Sequence, residues 1–157
     1  VEHDFMRNSP QKLLTVVVLV AALGFGYYSM NAAPVLSTQD TTYQGGIEWH
    51  ENPDEAMSVA QEENKPVLVY YWTTWCTYCE EYDRKHYQDE EIRDALDEYV
   101  LLAINIDEPG PGERLAAEHD ATYPPQHVIM SPDGEELRRI GGYVEEDRLL
   151  EELSAAS

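Results

Sequence analysis

The chain has 157 residues, the length of a single domain. Its 10 Lys and Arg against 31 Asp and Glu leave a net charge of −21, which excludes a protein that tracks nucleic-acid phosphates. With 43% apolar residues it can bury a core, and 2 Cys are too few for a small framework stapled by several disulfides.

Residues 1–12 read as a short cytoplasmic N-terminus in which Glu2 and Asp4 cancel Arg7 and Lys12. Val1 stands where Met is usual, and Met6-Arg7 reads as a start. The excess charge therefore belongs to the chain beyond Pro34, where 29 acids remain against 8 bases. Spread along a whole domain rather than gathered in a tail, it favours adaptation to very high salt over an ordinary solvated acidic face.

Residues 13–33 begin LLTVVVLVAALGFGYY and run 21 residues, about 31 Å as a helix, enough to cross a bilayer core. A signal-anchor is expected. The rival is a cleaved signal peptide, but cleavage after Ala33 would leave Asn31 where a small residue is wanted. Arg7 and Lys12 precede the run and acids follow it, so the remainder is expected outside the cytoplasm. Residues 34–46 (PVLSTQDTTYQGG) show no periodicity and read as a linker, with the folded domain at 47–157.

Within that domain, residues 47–49 suit a short first strand. A helix should begin at Asn52 as N-cap, with Pro53 at its first position and Glu55 at its third. Its apolar stripe is Ala56, Val59 and Ala60, and it must stop near Asn64, before Pro66. Residues 67–73 (VLVYYWT) are β-branched and aromatic without alternation, the pattern of a central strand buried on both faces. Helices are expected over 76–87 and 90–98, a second buried strand over 100–107, and a short helix over 113–119. Strands at 126–130 and 135–140 flank Ser131-Pro132-Asp133-Gly134, a turn signal for an antiparallel pair. A last helix at 145–153 carries Leu149, Leu150 and Leu153. This order predicts an α/β fold with a mixed central sheet and helices on both faces.

The chemistry lies in Trp75-Cys76-Thr77-Tyr78-Cys79. A Cys-x-x-Cys between a buried strand and a helix puts Cys76 at the helix N-terminus, where free N–H groups and the macrodipole favour a thiolate. Cys76 is the expected nucleophile. Cys79, one turn on, is placed to attack it and release a mixed disulfide. Three other readings are a structural bridge, haem attachment and a zinc site completed by His86 and His127. The bridge would close too short a loop to stabilise much, and residue 80 is Glu where haem attachment wants His. One Cys pair is half of a four-ligand set. No cofactor and no metal is expected.

These segments resemble a family. Lys65-Pro66-Val67-Leu68-Val69 followed by Trp72-Thr73-Thr74-Trp75-Cys76-Thr77-Tyr78-Cys79 is similar to the active-site segment of thioredoxin-like proteins, in particular the C-terminal domains of DsbD-type thiol:disulfide interchange proteins. A second match is Tyr123-Pro124-Pro125-Gln126 ahead of an apolar strand and Pro132-Asp133-Gly134. The resemblance implies a thioredoxin-like fold over essentially all of the soluble part. It makes Pro125 the cis-proline that pairs with substrate backbone, and Gly142 the glycine of the last active-site loop.

Together with the expected anchor it gives a membrane-anchored, extracytoplasmic oxidoreductase acting on protein thiols and disulfides, and it implies a protein partner supplying or accepting electrons, such as a membrane transporter of reducing equivalents. A reductive direction is favoured; an oxidant or isomerase and a non-catalytic metal- or client-binding module are the alternatives. Trp75, Thr77, Tyr78 and Pro124 would complete the contact rim. Many relatives carry an Asp six residues before the first Cys, where this chain has Tyr70. Asp83, four residues after Cys79, is the candidate replacement as proton acceptor, with a solvated surface acid as the alternative. Glu80 and Glu81 stand where relatives often have a base and should oppose the thiolate. His50, His86, His119 and His127 read as structural or solvated.

Overall fold

The computed structural model describes residues 44–156. The expected N-terminal transmembrane or signal helix at 13–33, with residues 1–12 and most of the linker, lies outside the described residues. Among the described residues no helix is long and apolar enough to cross a membrane.

Among the described residues five α-helices and four strands follow in order: α1 (Pro53–Glu63), β1 (Val67–Trp72), α2 (Thr77–Arg84), α3 (Glu90–Leu96), β2 (Val100–Asn105), α4 (Glu113–Glu118), β3 (Gln126–Met130), β4 (Glu136–Gly141) and α5 (Glu146–Ser154). The sheet order is β2-β1-β3-β4. β1 runs parallel to β2, with Val67 opposite Val100, and antiparallel to β3, with Tyr70 opposite His127. β3 pairs antiparallel with β4. The mixed sheet expected from the sequence is present, and β1 is buried almost throughout because helices cover both faces. Leu68 and Tyr70 face a core with Cys79, Tyr82, Ile92, Leu149 and Leu153. Val67, Val69 and Tyr71 face the opposite core, with Ala56 and Ala60 of α1.

α1 obeys its sequence signals. The Asn52 side chain accepts from Asp54 N at 3.0 Å, and the chain leaves the helix through a left-handed Asn64 at φ 53°. Three expectations need correction. Residues 47–49 form no strand: Gln44, Gly45 and Gly46 all have positive φ and coil the chain, and only His50 pairs with β2, donating to Leu101 O at 2.8 Å. Residues 44–46 therefore belong to the folded domain rather than to the linker. The helix expected over 76–87 ends at Arg84 and is followed by a 3-10 turn, His86–Gln88. It must end early because Asp89 caps α3 from an extended conformation, accepting from Glu91 N and Ile92 N.

Candidate active site

Strand β1 delivers the chain to the N-terminus of α2, where Cys76 occupies the N-cap with extended backbone. Its Sγ accepts a hydrogen bond from Cys79 N at 3.1 Å, so a helix N–H that lacks an intrahelical partner points at the sulfur. The two cysteines are joined as a disulfide with Cα atoms 5.2 Å apart. Cys79 is 2% exposed and Cys76 7%, so the first cysteine is the more accessible.

Two further segments reach the same end of the sheet. The Pro124–Pro125 peptide bond is cis, and Pro125 O accepts from Gly142 N at 2.8 Å. Gly142 has φ 76°, which explains the glycine there. The Tyr82 hydroxyl, from α2, accepts from Val144 N at 3.2 Å and donates to Gly142 O at 3.4 Å. The cysteine helix, the cis-proline loop and the Gly142 loop are thus tied to one another. Pro124 is half-buried in that loop and Thr77 is exposed at the first turn of α2. Trp75 and Tyr78 are also exposed rather than packed in the core. The Trp75 indole N–H donates to the Asp107 carboxylate, and Tyr78 stacks on Tyr143 with ring centroids 5.3 Å apart.

Asp83 is not a solvated surface acid. It is buried, and its Oδ1 has no hydrogen-bond partner among the described residues. Burial pushes its pKa up to about 7, helped by Glu80 and opposed by a hydrogen bond from the Gln44 backbone. Tyr70 lies beside it, with its phenol pushed well above 10.0 by burial and then by the Asp83 charge. Behind them His127 stacks on Tyr70 at 4.8 Å and shares a 2.7 Å hydrogen bond with the Tyr87 hydroxyl. Burial holds His127 neutral, with its pKa near 3. His86 donates to Val144 O at 2.8 Å. Among the described residues no group of three His, Cys, Asp or Glu side chains is placed to hold a metal ion.

Sequence reasoning missed Tyr82, Tyr143 and Asp107. Part of the signal was present: Cys79, Tyr82, Asp83, His86 and Tyr87 follow i, i+3, i+4, i+7, i+8, the stripe of a helix face turned inward, and all five are buried. The pairing of Asp107 with Trp75 spans 32 residues and has no local signature.

The family model for thioredoxin-like domains matches residues 53–157. The chain belongs to the thioredoxin-like domain family. The Cys76–Cys79 disulfide lies within the matched residues. The thiol:disulfide interchange protein DsbD 1 of Pseudomonas aeruginosa is 30% identical over 107 residues, 66% of this chain but 18% of that protein. DsbD of Ralstonia nicotianae is 27% identical over 105 residues, again 66% of this chain and 17% of the relative. This chain thus spans under a fifth of the length of those relatives. Among solved structures, a thioredoxin from Thermus thermophilus superposes with TM-score 0.62 at 25% identity, covering 69% of this chain and 87% of the other. The reduced C-terminal domain of Neisseria meningitidis DsbD superposes with TM-score 0.58 at 24% identity, covering 66% and 93%.

Proposed function

We propose that this protein is a membrane-anchored, extracytoplasmic oxidoreductase that reduces protein disulfides through the Cys76/Cys79 couple. The observation that carries the redox chemistry is the Cys79 N–H aimed at the Cys76 sulfur at the head of α2. The anchoring and the location rest on the apolar run at 13–33 with Arg7 and Lys12 before it. The DsbD relatives, named as thiol:disulfide interchange proteins, support exchange with protein thiols and disulfides and with redox partners.

In the reduced enzyme the Cys76 thiolate attacks a substrate disulfide, forming a mixed disulfide and expelling one substrate thiolate. Cys79 then gives its proton to Asp83 and attacks the Cys76 sulfur. The second substrate thiolate leaves, and Cys76–Cys79 closes. Two electrons have passed from the enzyme dithiol to the substrate, whose sulfurs take up two protons. Asp83 is one helical turn from Cys79 on the inward face and titrates near neutrality, as a proton acceptor at this step requires. Pro125 presents its edge to the substrate backbone, with Trp75, Thr77, Tyr78, Pro124 and Gly142 forming the rim.

The deciding measurement is the reduction potential of the couple in high salt. A value at or below about −220 mV supports the reductive direction, whereas one near −120 mV makes the protein an oxidant. Trapping checks the roles: Cys79→Ser should accumulate mixed disulfides and Cys76→Ser should not. Equal trapping by both would overturn the assignment of nucleophile and resolver. Stoichiometric zinc after anaerobic purification would overturn the redox reading.

A further inference from the structure

The sheet topology collects four loops at the redox end. β1 and β2 finish there in parallel, β3 begins there and β4 finishes there, which places residues 73–76, 106–112, 119–125 and 142–145 side by side. The large apolar side chains most exposed among the described residues are Trp75, Tyr78, Tyr123 and Leu137, and the first three belong to this end, 66%, 56% and 56% exposed. On the loops themselves the charges have one sign; a cation from β4, Arg139, reaches the third loop, donating to His119 O at 2.8 Å, and is paired with Glu136. Asp107, Glu108, Asp120 and Glu145 lie on the loops, with no Lys or Arg on any of the four. Glu81 from the second turn of α2 and Glu146 from the first turn of α5 add carboxylates close enough to Tyr143 that they and Glu145 raise its phenol pKa after burial does. Glu80 is the exception, paired with Arg84 at 3.4 Å.

Exposed ring faces carry a negative quadrupole and attract cations, and the carboxylates at their edge act in the same sense. An acidic polypeptide meets uncompensated like charge at this surface. We propose that the redox end selects polypeptide disulfides flanked by Lys or Arg, received on the faces of Trp75, Tyr78 and Tyr123 and paired at the rim by Asp107, Glu108, Glu81 and Glu145. This rests on the exchange reaction described above and names its substrate class; the chemistry at sulfur is unchanged.

The test uses the full chain, reduced beforehand and freed of reductant. It is mixed with three synthetic peptide disulfides of one sequence whose flanking residues are Lys, Gln or Glu, and the second-order rate constants are read by stopped-flow tryptophan fluorescence. Rates are compared at the lowest salt that keeps the near-UV circular dichroism of the fold and at about 2 M salt, where charges are screened within a few Å. The Lys peptide should react about tenfold faster than the Glu peptide at low salt, with the ratio falling toward one at high salt. Asp107→Asn combined with Glu145→Gln should reduce that ratio several-fold. Glu63→Gln combined with Asp97→Asn, remote from the redox end, should leave it intact. Equal rates for the three peptides, or equal loss of preference in both double variants, would overturn the proposal. If none of the peptides reacts, the exchange reaction itself fails and the selectivity with it.

Discussion

Replacing Asp83 by Asn should stabilise the oxidised protein at pH 8 and leave it unchanged at pH 4. The Asp83 carboxyl titrates near 7 in the folded state against its ordinary value of 3.8, a rise caused chiefly by burial. Between those values the folded state binds the proton that the unfolded state has released, so this group makes stability fall as pH rises from about 4 to 7. Above pH 7 the full penalty is present. At 1.36 kcal/mol per unit it reaches about 4 kcal/mol, and water reaching part of the carboxyl reduces it toward about 2. Asn keeps the shape and can still accept from the Gln44 backbone, without the charge. His127 titrates in the opposite sense: its pKa is depressed from 6.5 to about 3, so its contribution is lost as pH falls below about 6.5. The wild-type profile is therefore partly levelled between pH 4 and 6.5, and the informative quantity is the difference between variant and wild type. Urea midpoints of the disulfide form from pH 4 to 8, at fixed high salt, measure it. A constant difference across that range, or a variant less stable at pH 8, would refute the reasoning.

The cis-proline loop offers a second perturbation. Buried Gln126 donates to Tyr123 O at 2.8 Å and accepts from Arg139 at 3.2 Å, while Arg139 also holds Glu136 and His119 O. Gln126→Ala should cost about 1–3 kcal/mol in urea unfolding and raise KM for a protein disulfide more than it lowers kcat. A reduction potential of the Cys76–Cys79 couple shifted by tens of mV would argue against this positioning role. Tyr82→Phe removes the hydroxyl between Val144 N and Gly142 O, with an expected loss of about 1–3 kcal/mol; an unchanged urea midpoint would show that the link carries no stability. Finally, with 29 acids against 8 bases beyond Pro34, the fold should loosen at millimolar salt and recover at molar salt. Near-UV circular dichroism that does not depend on salt would identify an ordinary acidic protein instead.

The order of the elements was legible along the chain because each depends on local chemistry. Val67 to Tyr71 form an unbroken apolar run because both faces of β1 are covered, and Asn52-Pro53 starts α1 with groups a few residues apart. The Cys-x-x-Cys pair carries its mechanism in its spacing and its position at a helix start. The environment of Asp83 could not be read the same way. It is made by Gln44 and Gly45, which sequence pattern assigns to a linker, and by Gln88, whose amide donates to Gly45 O at 2.7 Å and Asp83 O at 3.0 Å. That contact joins positions 43 residues apart. The same holds for the acidic rim: the −21 is plain in the composition, but which of its carboxylates border the disulfide follows from strand order. Local sequence determined where the two cysteines stand, at a helix start behind a buried strand. Tertiary packing decided the dielectric and the charge that surround them, because those are set by groups the chain brings together only on folding.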